Sequence, residues 1–244
     1  MLDPRDSQKV QNLFSANEAQ VSRDHAISHV LAALQGINTE LVFFGGTALS
    51  RTFLTMGRLS EDIDLYSPDR RALCRELDEF PKLIKEEFPH ANWNVMPSQT
   101  VDSQSSLLVC DSSIQIMVQA VDSRTREWSK VPKALTQIYQ RFSDVSETKL
   151  FTPTFDGFVA MKALAWIDRH SARDLFDLEG LSHIGEVTQG AREVIDQLIG
   201  FRLSREMMMG RVVGLWHEEL VHQTKLDKSE EECLERLLTW WGEW

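Results

Sequence analysis

Apolar residues recur along the N-terminal part of the chain with two different periods. Between residues 5 and 36 they return at roughly helical spacing, which predicts one or two helices. Residues 41–44 are apolar without interruption, as expected of a short buried strand. Residues 70–88 are again amphipathic at helical spacing, and Pro81 inside that stretch should kink or split the helix.

The middle of the chain carries the period-two alternation of strands. Residues 62–66 alternate polar and apolar side chains, and residues 106–110 and 113–119 form two more strand-like runs. Asp111-Ser112 between those two runs is typical of a hairpin turn. From residue 154 onwards the period is helical again, and one of the predicted helices covers residues 207–220. The pattern predicts an α/β or α+β fold, in which helices flank a small mixed sheet and the C-terminal half is helical.

Composition narrows the class of protein without identifying it. The chain of 244 residues is long enough for one large or two modest domains. Its formal net charge of −11 argues against a protein that simply coats nucleic acid, although a local basic patch stays compatible with it. No stretch has the apolar run of a membrane span or a signal peptide, and the three cysteines are widely spaced. We therefore expect a cytoplasmic protein with free thiols and no membrane partner.

The most informative stretch begins where the apolar run of residues 41–44 ends. Gly45 and Gly46 let the backbone turn sharply and approach a ligand, and Thr47 is placed to cap a helix over residues 48–54. A strand end, a glycine turn and a helix N-terminus together offer free N–H groups to an anion. We expect Gly45, Gly46 and Thr47 to bind the phosphates of a nucleotide.

Two carboxylates, Asp62 and Asp64, lie on the next predicted strand. Alternate side chains of a strand share a face, so both carboxylates should point one way while Ile63 and Leu65 point into the core. Paired carboxylates repel unless water or a cation lies between them, and such hard oxygen ligands suit Mg²⁺ (or Mn²⁺). A phosphate-binding turn followed by a metal-binding carboxylate pair provides the groups that nucleotidyl transfer requires.

The order of these motifs resembles the signature of the nucleotidyltransferase superfamily, a Gly-Gly turn, a helix and then Asp-x-Asp. The sequences of residues 45–49 (GGTAL) and 59–65 (LSEDIDL) are most similar to those of the AbiEii/AbiGii toxin family. This resemblance implies a Mg²⁺-dependent enzyme that moves a nucleoside monophosphate from an NTP to an acceptor, as the toxin of a toxin–antitoxin or phage-defence pair. It further implies tRNA as the acceptor and a cognate antitoxin as a protein partner.

A second stretch, residues 154–181, is similar to the downstream motifs of the same family. Lys162 lies in a predicted helix with Arg169 close to the same face, and Asp174 and Asp177 lie in the first turns of the next helix. The resemblance implies that Lys162 contacts the triphosphate and that Asp174 positions Lys162 or the acceptor. Arg169 and Asp177 complete the predicted nucleotide-binding residues. From the residues alone, a capped helix with a surface salt bridge is the alternative.

Residues 123–153 are the best candidate boundary between two halves of the chain. We expect a nucleotidyltransferase-like catalytic half over residues 1–125 and a helical half over residues 150–244 that completes the cleft. The boundary segment is also the most concentrated basic stretch, which is either a solvated connection or a patch for an RNA acceptor. Its cations are Arg124, Arg126, Lys130 and Lys133.

The superfamily commonly has a third carboxylate that faces the Asp-x-Asp pair, and this chain departs from that pattern. Gln115 and Gln119 hold the facing positions of the predicted strand, and Asp122 near its end is a weak substitute. The candidates for deprotonating the acceptor are then metal-bound hydroxide and Asp174. The departure keeps open a non-catalytic nucleotide-binding module, and the acidic net charge keeps open transfer onto a protein hydroxyl.

His25 and His29 form a separate pair outside these motifs. They are four residues apart on one predicted helix face, a spacing that can bind a metal. No acidic third ligand lies at an obvious spacing, so ordinary packing or surface histidines are expected.

Overall fold

Two helices precede the sheet, as the periodicity predicted. The computed structural model describes residues 2–102, 104–125 and 127–242. Helix α1 (Pro4–Phe14) follows Asp3, and helix α2 (Glu18–Ala33) follows Asn17. Both of these side chains accept a hydrogen bond from a backbone N–H of the first turn, which is why each helix begins there.

Five strands of the described residues form one mixed sheet. They are β1 (Val42–Phe44), β2 (Asp62–Ser67), β3 (Asn92–Trp93), β4 (Ser105–Val109) and β5 (Gln115–Asp122). Their order across the sheet is β1–β2–β5–β4–β3; β2 and β5 run parallel and the other neighbours antiparallel. The small mixed sheet of the predicted α/β fold is therefore confirmed.

Short helices on either side of β2 connect it to the rest of the sheet. Helix α3 (Gly45–Leu49) follows β1 directly, while α4 (Arg70–Asp78) and α5 (Phe80–Leu83) follow β2. Asp69 caps α4 through its carboxylate. The amphipathic stretch splits just before Pro81, which sits in the first turn of α5, as predicted.

The two faces of the sheet differ in chemistry. One face carries Ile63 and Leu65, which are buried in the main core, where α4 packs against β2 and α2 packs against the neighbouring β5. The other face carries Asp62 and Asp64 at one end of β2 and the apolar ring of Tyr66 at the other end. This second face positions the candidate site.

A two-stranded hairpin lies where the sequence predicted a connection. Strands β6 (Lys133–Ile138) and β7 (Thr148–Pro153) pair antiparallel along their whole length. The main core contains residues from before and after this hairpin, from Ala26 to Trp241. The division into halves at residues 1–125 and 150–244 stays a prediction.

The C-terminal part of the described chain is helical, as predicted. Its helices are α6 (Phe155–Arg169), α7 (Ala172–Ser182), α8 (Gln189–Ile199), α9 (Trp216–Leu220) and α10 (Glu230–Trp241). The predicted helix over residues 207–220 is interrupted between Met209 and Leu215, where Gly214 has a non-helical φ of +123°. Gly210 in the same segment packs closely against His170, since a Cβ there would lie 2.1 Å from the ring. Among the described residues, no helix combines the length and apolar character that crossing a bilayer requires. The three cysteines are buried free thiols.

Candidate active site

Asp62 and Asp64 lie on the face of β2 that is turned away from the main core. Ile63 and Leu65 are fully buried on the opposite face, so the alternation predicted from the sequence is confirmed. In the parallel register of β2 and β5, Asp64 lies beside Gln119. The two carboxylates are therefore neighbours on a single surface of the sheet.

Gly45 brings the turn after β1 directly against Asp64. Its φ of +78° is in the left-handed region, which favours glycine. A Cβ at this position would lie 2.2 Å from Oδ2 of Asp64, so a side chain would occupy the space of the carboxylate. Gly46 is similarly close-packed, because a Cβ there would lie 2.7 Å from Nη2 of Arg58. Both glycines are thus needed for space, and Gly45 is also needed for its backbone conformation.

Thr47 lies inside α3 and does not cap it, contrary to the prediction. The helix begins at Gly45, earlier than expected, and ends at Leu49 and not at residue 54. The Thr47 hydroxyl donates a hydrogen bond to the carbonyl oxygen of Asp62, and the side chain is buried. Thr47 therefore ties α3 to the start of β2, and its side chain is not available to a phosphate.

The carboxylate pair is poorly stabilised in its charged form. Burial raises the pKa of Asp64 to about 6, and the charge of Asp62 is the second cause. Burial also raises the pKa of Asp62, although Arg173 opposes this shift. The main causes of both shifts are burial and neighbouring charges. Two clustered, partly buried carboxylates are a donor set that fits a hard divalent cation such as Mg²⁺ or Mn²⁺.

Helices α6 and α7 supply a network of charged side chains at the same site. Nζ of Lys162 lies 2.6 Å from Oδ2 of Asp177 and 3.1 Å from Oδ1 of Asp174. Nε of Arg169 lies 2.6 Å from Oδ2 of Asp174. Lys162, Asp174 and Asp177 are all buried. The two aspartates therefore fix the position of the Lys162 ammonium from two sides.

The charge state of Asp174 argues against its acting as the base. Burial alone would raise the pKa of Asp174, but the charges of Lys162 and Arg169 hold it well below its ordinary range. Asp174 is also fully buried. These observations do not support proton transfer to Asp174 and leave it the predicted alternative role, positioning Lys162.

Arg58 is a site residue that the sequence reasoning missed. Its guanidinium makes two hydrogen bonds to Asp177, from Nε at 2.9 Å and from Nη2 at 2.8 Å, and Nη1 donates to Gln223 at 2.8 Å. All three side chains are buried. Arg58 links the segment before β2 to α7. Its position just before the Leu59–Leu65 motif is the signal that could have singled it out.

A cavity of about 640 Å³ brings most of the predicted residues together. Gly45, Gly46, Asp64, Lys162 and Arg169 line it. Asp62 lies beside Asp64 on the same face of β2, whereas Asp174 and Asp177 contact Lys162 without lining the cavity. The remaining wall is mainly apolar and includes Phe44, Trp128, Phe158, Met161, Leu198 and Ile199.

The position that faces Asp64 on β5 holds an amide and not a carboxylate. Gln119 lies there and also lines the cavity. Asp122 lies on the opposite face of β5, where it binds Arg124, so it does not supply the missing group. Asp168, on the exposed end of α6, is a carboxylate of the cavity lining that sequence reasoning did not single out.

The basic segment carries less uncompensated charge than its composition suggested. Arg124 pairs with Asp122, Lys130 with Glu127 and Lys133 with Glu40. Arg126 lies outside the described residues. These exposed ion pairs are weak, so an incoming anion could replace the carboxylates at small cost.

The sheet, the glycine turn against an Asp-x-Asp pair and the cationic wall of the cavity define a nucleotidyltransferase. The sequence model of the family described as "Nucleotidyl transferase AbiEii toxin, Type IV TA system" matches residues 29–232. The chain belongs to this family of toxins. The expected resemblance and the enzyme class are thereby confirmed, and the alternative of a non-catalytic module is not supported.

Solved structures support the same fold. The chain is similar to MenT4, a nucleotidyltransferase toxin from Mycobacterium tuberculosis H37Rv, with a TM-score of 0.71 and 18% identity over 99% of this chain and 89% of that one. It is also similar to JHP933 from Helicobacter pylori, with a TM-score of 0.54 and 15% identity over 92% and 90% of the two chains. No curated protein matches the sequence at a significant level.

Proposed function

We propose that the protein transfers a nucleoside monophosphate from an NTP to a hydroxyl of tRNA, in a reaction that depends on Mg²⁺ or Mn²⁺. The observation that carries the proposal is the cavity in which Gly45, Asp64 and Lys162 meet. It joins a turn suited to phosphates, a carboxylate suited to a metal and a cation suited to the leaving group. We also propose a cytoplasmic location and restraint by a cognate antitoxin, which membership of the toxin family supports.

Each side chain has a role that its position supports. Asp62 and Asp64 would hold the divalent metal, which when bound would neutralise phosphate charge during transfer. The backbone at Gly45 and Gly46 would bind the β- and γ-phosphates. Lys162, held in place by Asp174 and Asp177, would stabilise the negative charge that develops on pyrophosphate.

The proposed reaction replaces one phosphorus–oxygen bond by another. The acceptor oxygen forms a bond to the α-phosphorus, the bond from that phosphorus to the bridging oxygen of pyrophosphate breaks, and the hydroxyl proton leaves to solvent.

Arg169 lines the same cavity and is 55% exposed in its side chain, so it can contact phosphate oxygens while it stays bound to Asp174. The apolar wall at Trp128 and Met161 offers a surface for the nucleobase.

The test compares labelled NTPs on the intact protein. Each α-labelled NTP is incubated with Mg²⁺ and total tRNA, beside the same NTPs labelled at the γ-phosphate. We expect α-label and no γ-label on RNA, loss of transfer with EDTA, and recovery on adding Mg²⁺ or Mn²⁺. Asp64→Asn should abolish the signal, whereas Asp122→Asn, on the other face of the sheet, should retain it.

The acceptor is decided by where the label goes. Label on a protein and not on RNA would replace the tRNA proposal by transfer onto a protein hydroxyl, the alternative that the acidic net charge of −11 favours. No label on RNA or protein with any NTP would overturn the proposal as stated.

A further inference from the structure

Three side chains far apart in the sequence converge on one point away from the cavity. Nε2 of His25 lies 3.1 Å from Nε2 of His29 and 3.1 Å from both carboxylate oxygens of Asp144. Nε2 of His29 lies 3.8 Å from Oδ2 of Asp144. The acidic third ligand that was not evident from sequence spacing is therefore supplied by the loop between β6 and β7.

We propose that His25, His29 and Asp144 form a binding site for a divalent transition-metal ion of the Zn²⁺ type. Zn²⁺ binds imidazole nitrogen and carboxylate oxygen at about 2.0–2.2 Å, so neighbouring ligand atoms of a tetrahedral site are about 3.3–3.6 Å apart. With Oδ2 as the ligand atom of Asp144, the three observed separations of 3.1, 3.1 and 3.8 Å bracket that range. Two imidazoles and a carboxylate are also a ligand set that suits Zn²⁺ better than Mg²⁺.

The hydrogen bonds open to two neutral imidazoles leave the contact between His25 and His29 incompletely satisfied. A neutral imidazole has one N–H donor and one acceptor nitrogen. If Nε2 of His25 donates to Asp144, that single proton cannot also serve a linear bond to His29. If His29 donates to His25 instead, the lone pair of His25 faces the carboxylate oxygens. A cation between the three groups would satisfy all of them together.

The surroundings hold both rings in place. The two imidazoles are nearly perpendicular, at 82°, which lets their Nε2 atoms point at one another without stacking. Phe142 packs edge-on against His25, and Phe88 packs edge-on against His29. Nδ1 of His29 lies 3.8 Å from Oε1 of Glu87, so a carboxylate adjoins the second nitrogen of this ring without a direct hydrogen bond.

The site also has access from solvent and room for a further ligand. The Asp144 side chain is 29% exposed, whereas those of His25 and His29 are 10% and 7% exposed. A cavity of about 180 Å³, lined in part by His25 and Glu87, adjoins the cluster and is large enough for a water. With three protein ligands, the fourth position of the ion would be taken by such a water. The ion would join α2 to the hairpin loop.

The test measures Zn²⁺ binding in an Asp64→Asn background, which removes the main carboxylate of the nucleotide site. The full chain is stripped with EDTA, dialysed and titrated with Zn²⁺ against a chromophoric chelator in excess Mg²⁺. We expect one tight equivalent. Outer partners alone are worth about 10–100-fold in affinity, so losing a ligand in His29→Gln or Asp144→Asn should weaken binding at least about 100-fold.

Two further measurements keep the outcome decisive. His90→Gln removes an exposed histidine outside the cluster and should leave the affinity unchanged. Co²⁺ in place of Zn²⁺ should give the strong visible bands of a tetrahedral ion, lost in Asp144→Asn, a nearly isosteric change at a partly exposed position that should not prevent folding. Equal Zn²⁺ affinity with and without His29 or Asp144, or a weak octahedral Co²⁺ spectrum, would overturn the proposal.

Discussion

At the residue scale, the geometry of the site depends on Gly45 having no side chain. Its φ of +78° and the absence of a Cβ together let the chain turn while the Asp64 carboxylate occupies the adjacent space. Gly200 has nearly the same backbone angle, +80°, but a Cβ there would meet nothing within 4 Å. The two glycines therefore separate the effect of backbone strain from the effect of crowding Asp64.

Gly45→Ala should reduce nucleotidyl transfer by about 100-fold, because a displacement of a catalytic group by about 1 Å can cost that much. Gly200→Ala should leave the rate unchanged. Both substitutions place alanine in the left-handed region, which should lower the free energy of unfolding by about 1–2 kcal/mol in Gly200→Ala. Gly45→Ala should cost more, because its Cβ also crowds Asp64. Urea unfolding and label transfer measured on both variants check this. Equal losses of activity in the two would show that general destabilisation, and not crowding of Asp64, is the cause.

The raised pKa of Asp64 also predicts how stability changes with pH. An unfolded aspartate has a pKa of about 3.9. In the folded protein burial raises the pKa of Asp64 to about 6, so the folded state holds the extra proton between these values. Stability should therefore fall as pH rises from about 4 to about 6, and the full cost, about 3 kcal/mol, is present above that range.

Asp64→Asn should accordingly be more stable than the unmutated protein at pH 7 in EDTA, and this advantage should vanish near pH 4. Urea unfolding across this pH range is the measurement. Asp122→Asn is the control, because the effect of Asp122 on stability has the opposite pH dependence. The hydrogen bond from Arg124 lowers the pKa of Asp122 to about 2. The stabilisation that ionised Asp122 provides is therefore present above pH 4 and lost as pH falls towards 2. An Asp64→Asn variant that is less stable at pH 7 would mark Asp64 as a structural residue.

At the element scale, Arg58 and Asp177 hold α7 against the segment before β2. Both side chains are 4% exposed, and the pair makes two parallel hydrogen bonds. Removing one partner of such a buried pair leaves an uncompensated charge. The orientation of Lys162 depends on the same contact, because Asp177 binds both cations.

Asp177→Asn should therefore lower the free energy of unfolding by about 3–5 kcal/mol. Glu79→Gln breaks an ion pair of the same formal kind with Lys82, but both of those side chains are more than half exposed, so it should cost less than about 1 kcal/mol. Urea unfolding of the two variants, side by side, is the comparison. If they are equally stable, the buried pair does not anchor α7.

The same contacts show which part of the fold and site the sequence could predict. Alternation in β2, the split before Pro81 and the break between α6 and α7 are decided by neighbours within a few residues, and all were predicted. Arg58 contacts Asp177, and His25 contacts Asp144, although the partners of each pair are 119 positions apart in the sequence. No local period encodes such contacts, because only the packing of α7 and the hairpin brings the partners together. The irregular segment around Gly214 was missed because its apolar spacing outweighed the glycines.

At the scale of the whole molecule, one core joins the elements on both sides of the predicted boundary. Trp241 of α10 is fully buried in that core, and its Nε1 donates to the carbonyl of Leu203 at 3.1 Å. Helix α10 packs against α7, which carries Asp174 and Asp177. The C-terminal helix therefore supports the site without contributing a residue to it.

This connection predicts that the chain unfolds in a single transition, although the sequence suggested two halves. Trp241→Ala should lower the free energy of unfolding of the whole molecule by about 3–5 kcal/mol, with far-UV circular dichroism and tryptophan fluorescence still giving coincident curves. Phe201→Ala removes a large side chain that is 47% exposed and should change stability by no more than about 0.5 kcal/mol. Two separate transitions, of which only one responds to Trp241→Ala, would instead establish the two halves as independent domains. If both halves share one core, removing the Trp241 side chain of α10 must destabilise both of them.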